Sequence, residues 1–424
     1  MKILIYGINY APEQVGIGKY TGELGSWLAS VGHDIHVITA PPYFPGWKVS
    51  PGYYNCYKLE KNQGVQVLRC PLWIPIRPNG FSRLLHLASF ALSSLCPLLA
   101  KLYWRPDVVI TIAPAFFCAP GALLLGKLCG SSTINWLHIQ DFELDAAFEL
   151  GLLKGQVLRS LAEAWERYTL RGFDRVSSIS DAMVQRLEVK GVKPDRRLLW
   201  PNWVNLELIR PQERYAQIRN TYRNELEIDS GQLVLMYSGS MNKKQGLEDL
   251  VEVIHQLADL PNIVWLLAGE GPTKPQLVKA TQGLTHVYHF PLQPMERLND
   301  WLNVADIHLL PQKAEAADLV LPSKLLGILA SGKPVVASSP RGSELAVIAE
   351  QAGACVTPGD VNSFAKEVRK LVSSPEDRAE AGRRARKLAE QAFGMDAVLG
   401  NFEERLRDFV AQKDSRASLK KLGY

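Results

Sequence analysis

Short apolar strands alternate with helical patterns along this 424-residue chain, and that alternation constrains the fold more than any other feature. The strand candidates are nearly continuous runs of Val, Ile and Leu, which are typical of parallel strands covered on both faces. They lie at 2–7, 34–39, 65–70, 107–112, 132–139, 174–179, 197–200, 232–238, 263–268, 286–290, 307–310, 334–338 and 354–357. Helical patterns between most of them predict a parallel α/β fold. These patterns lie at 19–31, 81–103, 157–171, 246–258, 294–304, 322–331 and 360–373.

The strand series starts twice, which predicts two domains. The segment from Pro201 to about Glu227 is charged and poor in strand signal, and a new strand then opens at Leu233. A single (β/α)8 barrel would have to accommodate about thirteen strands, so two doubly wound domains facing a cleft fit better. We expect domains at 1–205 and 206–393, a helix at 394–411, and a frayed polar tail at 412–424.

Composition excludes several classes of protein. Six cysteines without a C-x-x-C pair exclude a disulfide scaffold and argue against a zinc ribbon, and they suit a reducing compartment. A net charge of +5 does not argue for nucleic acid as a partner. The apolar run after Lys2 is too short for a signal peptide, so a cytoplasmic location is expected.

Three glycine-rich turns follow predicted strands. Gly16, Ile17 and Gly18 precede the first helix, where backbone N–H groups favour an anion. A dinucleotide fingerprint is not met, because Thr21 takes the place of its third glycine and the second strand ends without a carboxylate. A plain surface turn remains the alternative at this position.

The second domain repeats the arrangement with added cations. Its first turn runs from Gly239 to Gly246 and contains Lys243 and Lys244, and a second turn joins Gly269, Glu270 and Gly271. Two lysines in a glycine-flanked turn can hold a diphosphate, although a solvated surface pair is the alternative.

The order of these motifs resembles that of glycosyltransferase family 4, which has the GT-B architecture of two Rossmann-like domains. The motifs are Gly16-Ile17-Gly18, His138-Ile139-Gln140-Asp141, Pro201-Asn202, 239–246, Gly269-Glu270-Gly271-Pro272, Leu321-Pro322-Ser323-Lys324 and 330–336. The opening Tyr-Ala-Pro-Glu and the Val-Leu-Pro-Ser-Lys stretch are most similar to the colanic-acid and exopolysaccharide branch. The resemblance implies transfer of a hexose or deoxyhexose from a nucleoside-diphosphate sugar to a lipid-linked saccharide, with retention, without metal or cofactor. It also implies that the last helix crosses back to the first domain.

Two departures from the family pattern concern the donor site. Most members carry an arginine and a lysine in the turn that corresponds to residues 239–246. Those positions are Ser240 and Gln245 here, and Lys244 is the expected substitute for the missing lysine. Most members also carry two glutamates eight residues apart, and the corresponding positions here are Leu319 and Gly327. Glu315 and Asp318 lie nearby in sequence but not at those positions.

The resemblance assigns the remaining donor contacts. Pro322 fits the first position of a helix whose first turn contains Ser323 and Lys324, so its N-terminus would face the departing phosphate. Leu292 would lie against the base. The absence of a D-x-D motif agrees with a metal-independent reaction.

Three residues are the catalytic candidates of the first domain. His138 and Gln140 are two apart on a strand and so face the same way. Gln140 holds the place of the family's active-site histidine, and His138 would serve instead; a core histidine is the alternative. Asp141 would bind an acceptor hydroxyl or cap the following turn.

The stretch 61–106 contains six basic residues and no acidic one, and the run 84–100 within it is mostly apolar. Such a helix would lie on the inner face of the plasma membrane, or alternatively belong to the core of the first domain. The aromatic loop at 42–47 would stack on a sugar, insert into lipid, or pack against the rest of the domain.

Two rival functions remain, a nucleotide-sugar epimerase and a glycan- or nucleotide-binding scaffold that has lost catalysis.

Overall fold

The computed structural model describes residues 1–14, 16–77, 79–113, 116–142, 156–212, 220–260, 262–314 and 321–421. The chain forms two compact units. Unit 1 comprises Met1–Pro201 together with the C-terminal segment from Leu399, and unit 2 comprises Asn202–Val398. The division falls at 201/202, where the sequence predicts 205.

Unit 1 is built on a sheet in which eight strands are described. Their order across the sheet is β3-β4-β2-β1-β5-β6-β7-β8, with β3 antiparallel to β4 and the other pairs parallel. The strands are β1 (Lys2–Tyr6), β2 (Asp34–Thr39), β3 (Lys58–Asn62), β4 (Val65–Arg69), β5 (Val108–Ala113), β6 (Ile134–Ile139), β7 (Arg175–Ser178) and β8 (Arg197–Leu199). The helices between them are α1 (Ile17–Ser30), α2 (Gly80–Ala100), α3 (Ala119–Cys129), α4 (Gln156–Gly172) and α5 (Asp181–Val189).

Unit 2 is built on a parallel sheet of six described strands in the order β11-β10-β9-β12-β13-β14. The strands are β9 (Leu233–Ser238), β10 (Ile263–Ala268), β11 (Val287–Phe290), β12 (Ile307–Leu310), β13 (Val335–Ser338) and β14 (Gly353–Val356). The helices are α6 (Thr221–Glu225), α7 (Leu247–Gln256), α8 (Lys274–Ala280), α9 (Leu298–Val304), α10 (Ser323–Ala330), α11 (Glu344–Ala352), α12 (Val361–Ser373) and α13 (Pro375–Leu388), followed by α14 (Met395–Lys421).

Burial along the strands explains the apolar runs. Every residue of β10 is buried, and the consecutive residues Ile3, Leu4 and Ile5 of β1 are fully inaccessible. Successive strand side chains point to opposite faces, so both faces of each sheet are covered. The prediction of two parallel α/β domains is confirmed. The sequence pattern missed β3, because an exposed edge strand of sequence KLEKN carries no apolar signal.

The last helix, α14, belongs to unit 1 from Leu399 onward. Phe402 stacks on Trp200 with ring centroids 3.7 Å apart and planes inclined by 2°. The frayed tail predicted from 412 is instead helical through Lys421. Lys413 Nζ donates to Thr133 O and pairs with Asp174 at 2.7 Å, and extending an anchored helix costs far less than starting one.

Candidate functional site

The glycine turns of unit 2 meet at the carboxyl ends of β9 and β10, which are neighbouring strands. A Cβ added at Gly269 would lie 1.9 Å from the carbonyl oxygen of Gly239, and one added at Gly271 would lie 2.1 Å from that of Met241. Met241 N also donates to Glu270 O at 2.8 Å. The turns therefore pack backbone against backbone, which only glycine permits at these positive φ angles. This edge is where open α/β sheets bind ligands.

Lys324 brings a half-buried ammonium group to this edge from the first turn of α10. Its Nζ lies 3.1 Å from Gln245 Oε1 and 4.1 Å from the ring centroid of Tyr237. A Cβ added at Gly239 would lie 3.0 Å from Lys324 Cδ, so the lysine stem lies directly over the turn. Burial lowers the pKa of Lys324 to about 7. Its partners in the described part of the chain are an amide oxygen and an aromatic face, and neither neutralises a cation.

The two lysines of the turn itself lie differently. Lys243 and Lys244 belong to a short 3-10 turn that Asn242 caps by accepting from Lys244 N at 3.0 Å, and both side chains are exposed. Gln245, which takes the place of the family's lysine, is instead contacted by the lysine of α10. The structure thus places Lys324, which the sequence also predicts as a donor contact, next to the turn, and it leaves Lys243 and Lys244 exposed.

The helix α10 begins at Ser323, and Pro322 is its N-cap rather than its first helical residue. No side chain caps this N-terminus, so its first N–H groups are available at the same edge of unit 2. Gly327, one place expected for a family glutamate, lies in α10 and would contact Leu302 through any Cβ. Position 319, together with Glu315 and Asp318, lies outside the described residues.

The other predicted donor contacts of unit 2 are at the rim. The Glu270 carboxylate is exposed and pairs with Lys274 at 2.7 Å. Leu292 is exposed two residues after β11. Beside it, Gln293 Oε1 accepts from Tyr222 Oη at 2.7 Å, so the segment after β11 is anchored to the body of the unit.

In unit 1, His138 lies in a closed polar network under Gln140. Its Nε2 accepts from Gln140 Nε2 at 3.0 Å, and its Nδ1 lies 2.9 Å from Ser177 Oγ, which also accepts from Trp136 Nε1. The ring is 2% exposed, and burial lowers the pKa of His138 to about 3. A neutral histidine held at both nitrogens is suited to orient Gln140. Asp141 follows at the surface.

The first glycine turn holds a carboxylate of the chain itself. A Cβ added at Gly18 would lie 2.3 Å from Glu13 Oε2, so Gly18 makes room for Glu13 at the start of α1. Gly16 is the N-cap of this helix, and Ile17 is its first residue. Burial raises the pKa of Glu13, while hydrogen bonds from the N–H groups of Phe44 and Tyr43 oppose that shift. Glu13 thereby ties the aromatic loop to the turn, at the helix start that the sequence assigned to a ligand anion.

Comparisons with known proteins agree with this arrangement. Residues 15–203 match the family described as "Glycosyl transferase 4-like domain", and residues 218–388 match "Glycosyl transferases group 1". The chain is 41% identical over 416 residues to the putative colanic acid biosynthesis glycosyl transferase WcaI of Escherichia coli K12, covering 96% of this chain and 100% of that protein.

Two solved structures share the fold at low identity. Sucrose-phosphate synthase from Thermosynechococcus elongatus has a TM-score of 0.74 at 18% identity, covering 97% of this chain and 100% of that one. HepE from Anabaena, solved in complex with UDP and glucose, has a TM-score of 0.68 at 12% identity, covering 96% and 100%.

Proposed function

The chain belongs to glycosyltransferase family 4, and from that premise we propose that it transfers a hexose or deoxyhexose from a nucleoside-diphosphate sugar to a lipid-linked saccharide. The reaction would proceed with retention of configuration, in the assembly of an exopolysaccharide such as the colanic acid of its relative's name. The proposed place of action is the cytoplasmic face of the membrane that carries the acceptor.

One observation carries the donor half of this proposal: the Lys324 ammonium lies against the glycine turns of unit 2. Its Nζ lies 3.1 Å from the Gln245 amide oxygen and 4.1 Å from the centroid of the Tyr237 ring. Neither group carries a negative charge, so this cation complements an anionic ligand. The uncapped N-terminus of α10 and the backbone of the turn at Gly239 add N–H dipoles at the same edge. A nucleoside diphosphate has the charge that these groups complement.

The proposed reaction breaks the bond between the sugar's anomeric carbon and the diphosphate oxygen. The acceptor hydroxyl oxygen bonds to that carbon on the same face, and its proton leaves with the phosphate. Negative charge grows on the departing oxygen, where a nearby ammonium and helix N–H groups lower the barrier. Among the described residues, Lys324 contacts an amide oxygen and an aromatic ring, so its ammonium could provide that stabilisation.

Unit 1 would contribute the groups that orient the acceptor hydroxyl. Gln140 directly follows β6 and precedes Asp141, and its amide is held by His138. We assign Gln140 to hydrogen bonding with the reacting sugar, Asp141 to the acceptor, and His138 to positioning Gln140.

The test is a calorimetric titration of the full chain with UDP, GDP and ADP. We expect one nucleotide to bind, and Lys324→Met to weaken its binding at least tenfold. Lys244→Met is the matched control, since it removes an equal charge from an exposed position. If Lys324→Met bound the nucleotide as the wild type does and Lys244→Met lost binding, the diphosphate site would be assigned to the exposed Lys243 and Lys244 instead. Binding without nucleotide release in the presence of acceptor lipid would favour the scaffold.

A further inference from the structure

One face of unit 1 exposes apolar side chains from three neighbouring helices. The helices α2, α3 and α4 connect β4, β5, β6 and β7 in order, and right-handed crossovers in one direction place all three on the same face of the sheet. Leu98 of α2 packs on Gly121 of α3, and Leu123 of α3 packs on Gly172 of α4, so the helices lie side by side. The large exposed apolar residues on these helices are Phe81, Leu85, Leu92, Leu124, Leu128, Val157, Leu161, Trp165 and Tyr168. We refer to these nine side chains as the apolar face.

The spacing of these residues on α4 places them along one side of that helix, next to the exposed apolar side chains of the adjacent α3. On α4, Val157, Leu161, Trp165 and Tyr168 follow one another at intervals of four, four and three, which is one side of a helix. Leu161 is 64% exposed and Tyr168 is 71% exposed, whereas Leu170 on the other side is buried. Scattered exposed apolar residues need no explanation, but a contiguous exposed surface marks an interaction site.

The charges around the apolar face are mainly positive. The sequence of α2 and α3 contains Arg83 and Lys127 and no acidic residue. The two glutamates of α4 are both paired: Glu163 with Arg159 at 2.9 Å, and the buried Glu166 with Lys190 at 2.5 Å. The basic residues on the three helices are Arg83, Lys127, Arg159, Arg167 and Arg171, which outnumber these two glutamates.

We propose that the apolar face docks on the surface of a lipid bilayer that contains anionic phospholipid. Exposed apolar side chains between basic residues match an acyl-chain boundary beneath anionic headgroups. A second copy of the chain is a poorer occupant, because two surfaces with excess positive charge repel each other. The inference rests on the proposed function for the place of action, which it deepens by naming the surface that docks, but binding to a vesicle requires neither nucleotide nor acceptor.

The contacts of α2 within unit 1 indicate that this helix lies on the bilayer surface and does not cross it. Its 21 residues are long and apolar enough for a span, with a mean hydropathy of 1.4 in the most apolar window. However, Phe90, Ser94 and Leu98 are fully buried in unit 1, and Ser94 Oγ lies 2.7 Å from Tyr6 Oη of the central strand β1. A span would have to remove these side chains from the core.

The test is co-sedimentation of the full chain with two kinds of vesicle. One is made of phosphatidylcholine alone, and the other also contains about 30 mol% phosphatidylglycerol, which gives an anionic surface. We expect at least tenfold stronger partitioning onto the anionic vesicles. The double variant Leu161→Gln/Trp165→Gln should reduce that partitioning at least tenfold. Val31→Gln, at an exposed apolar position after α1, is the matched control and should bind as the wild type. Acyl-chain bromination should quench tryptophan fluorescence in the wild type and less in Trp165→Phe.

Three results would overturn the inference. They are absence of binding to anionic vesicles, unchanged binding by the double variant, and a lipid-free dimer that the same double substitution dissociates. The nucleotide titration of the double variant separates this inference from the proposed function, because its substitutions lie in unit 1 and the lysine–glycine site lies in unit 2.

Discussion

Raising the pH above 7.5 should weaken nucleoside-diphosphate binding through one half-buried group, Lys324. Its pKa is about 7 in the ligand-free protein, because burial disfavours the ammonium form. A bound diphosphate favours that form and raises the pKa, so binding takes up a proton above pH 7. Affinity is therefore highest below pH 7 and falls as the pH rises between the free and bound pKa values. With a bound pKa of about 10 or more, the dissociation constant should rise roughly 20- to 25-fold from pH 7.5 to 9.0.

The assay is calorimetry of the nucleotide identified in the first titration, in two buffers that differ in ionisation enthalpy. The terminal phosphate titrates near pH 6, so it contributes little in this range. At pH 8 the difference between buffers should correspond to uptake of about 0.9 proton per nucleotide bound. Lys324→Arg should retain binding and lose the pH dependence, because a guanidinium remains charged. Lys244→Met should keep the wild-type slope.

A dissociation constant that stays constant from pH 7.5 to 9.0 would refute the reasoning. So would a full slope in Lys324→Met, which would assign the titration to another group. Tyr237, whose ring centroid lies 4.1 Å from Lys324 Nζ, does not substitute, because burial raises its pKa further above the range tested.

Three further predictions concern packing and positioning. Gly269→Ala should cost about 2 kcal/mol or more in urea unfolding of unit 2, because its Cβ would lie 1.9 Å from a carbonyl oxygen. Gly283→Ala, with open space around it and a φ of +84°, should cost about 1 kcal/mol. Phe402→Ala should destabilise unit 1 by about 3–5 kcal/mol by removing the ring stacked at 3.7 Å, and an unchanged unfolding midpoint would contradict the anchoring of α14. His138→Ala should lower the rate of donor-sugar hydrolysis about tenfold or more and leave the donor KM nearly unchanged, because Gln140 loses the histidine that holds its amide. His138→Asn should restore part of the rate. If His138 had only a structural role, His138→Ala would lower the stability of the protein and nothing else.

The sequence predicted Lys243, Lys244 and Lys324 as donor contacts, but not which of these lysines lies over the glycine turn. The lysine doublet at 243 and 244 lies in the turn itself, so a pattern search selects it first. Whether an ammonium faces the turn depends on side-chain direction, and the short 3-10 segment leaves both lysines exposed. Lys324 is about 80 residues away in sequence and reaches Gln245 only because β9 and β12 are neighbours in the sheet.

Glu13 shows the same limit in unit 1. The sequence gives a carboxylate in a glycine-containing loop, and nothing in its spacing tells whether that carboxylate faces solvent or the chain. The structure buries it against Gly18 and the N–H groups of Tyr43 and Phe44, so the turn is partly filled by its own side chain.

The sequence by itself determined the fold class, the two strand series, the glycine turns and the family resemblance, because apolar runs and glycine positions express local backbone requirements. It also determined that α2 is a long apolar helix. Only the tertiary structure decided which of its sides is buried, and that α3 and α4 extend its exposed side into one apolar face. The same holds for the choice of Lys324 over Lys244 and for the closed network around His138. Those features depend on contacts between residues far apart in sequence, and a local pattern does not encode side-chain direction across such distances.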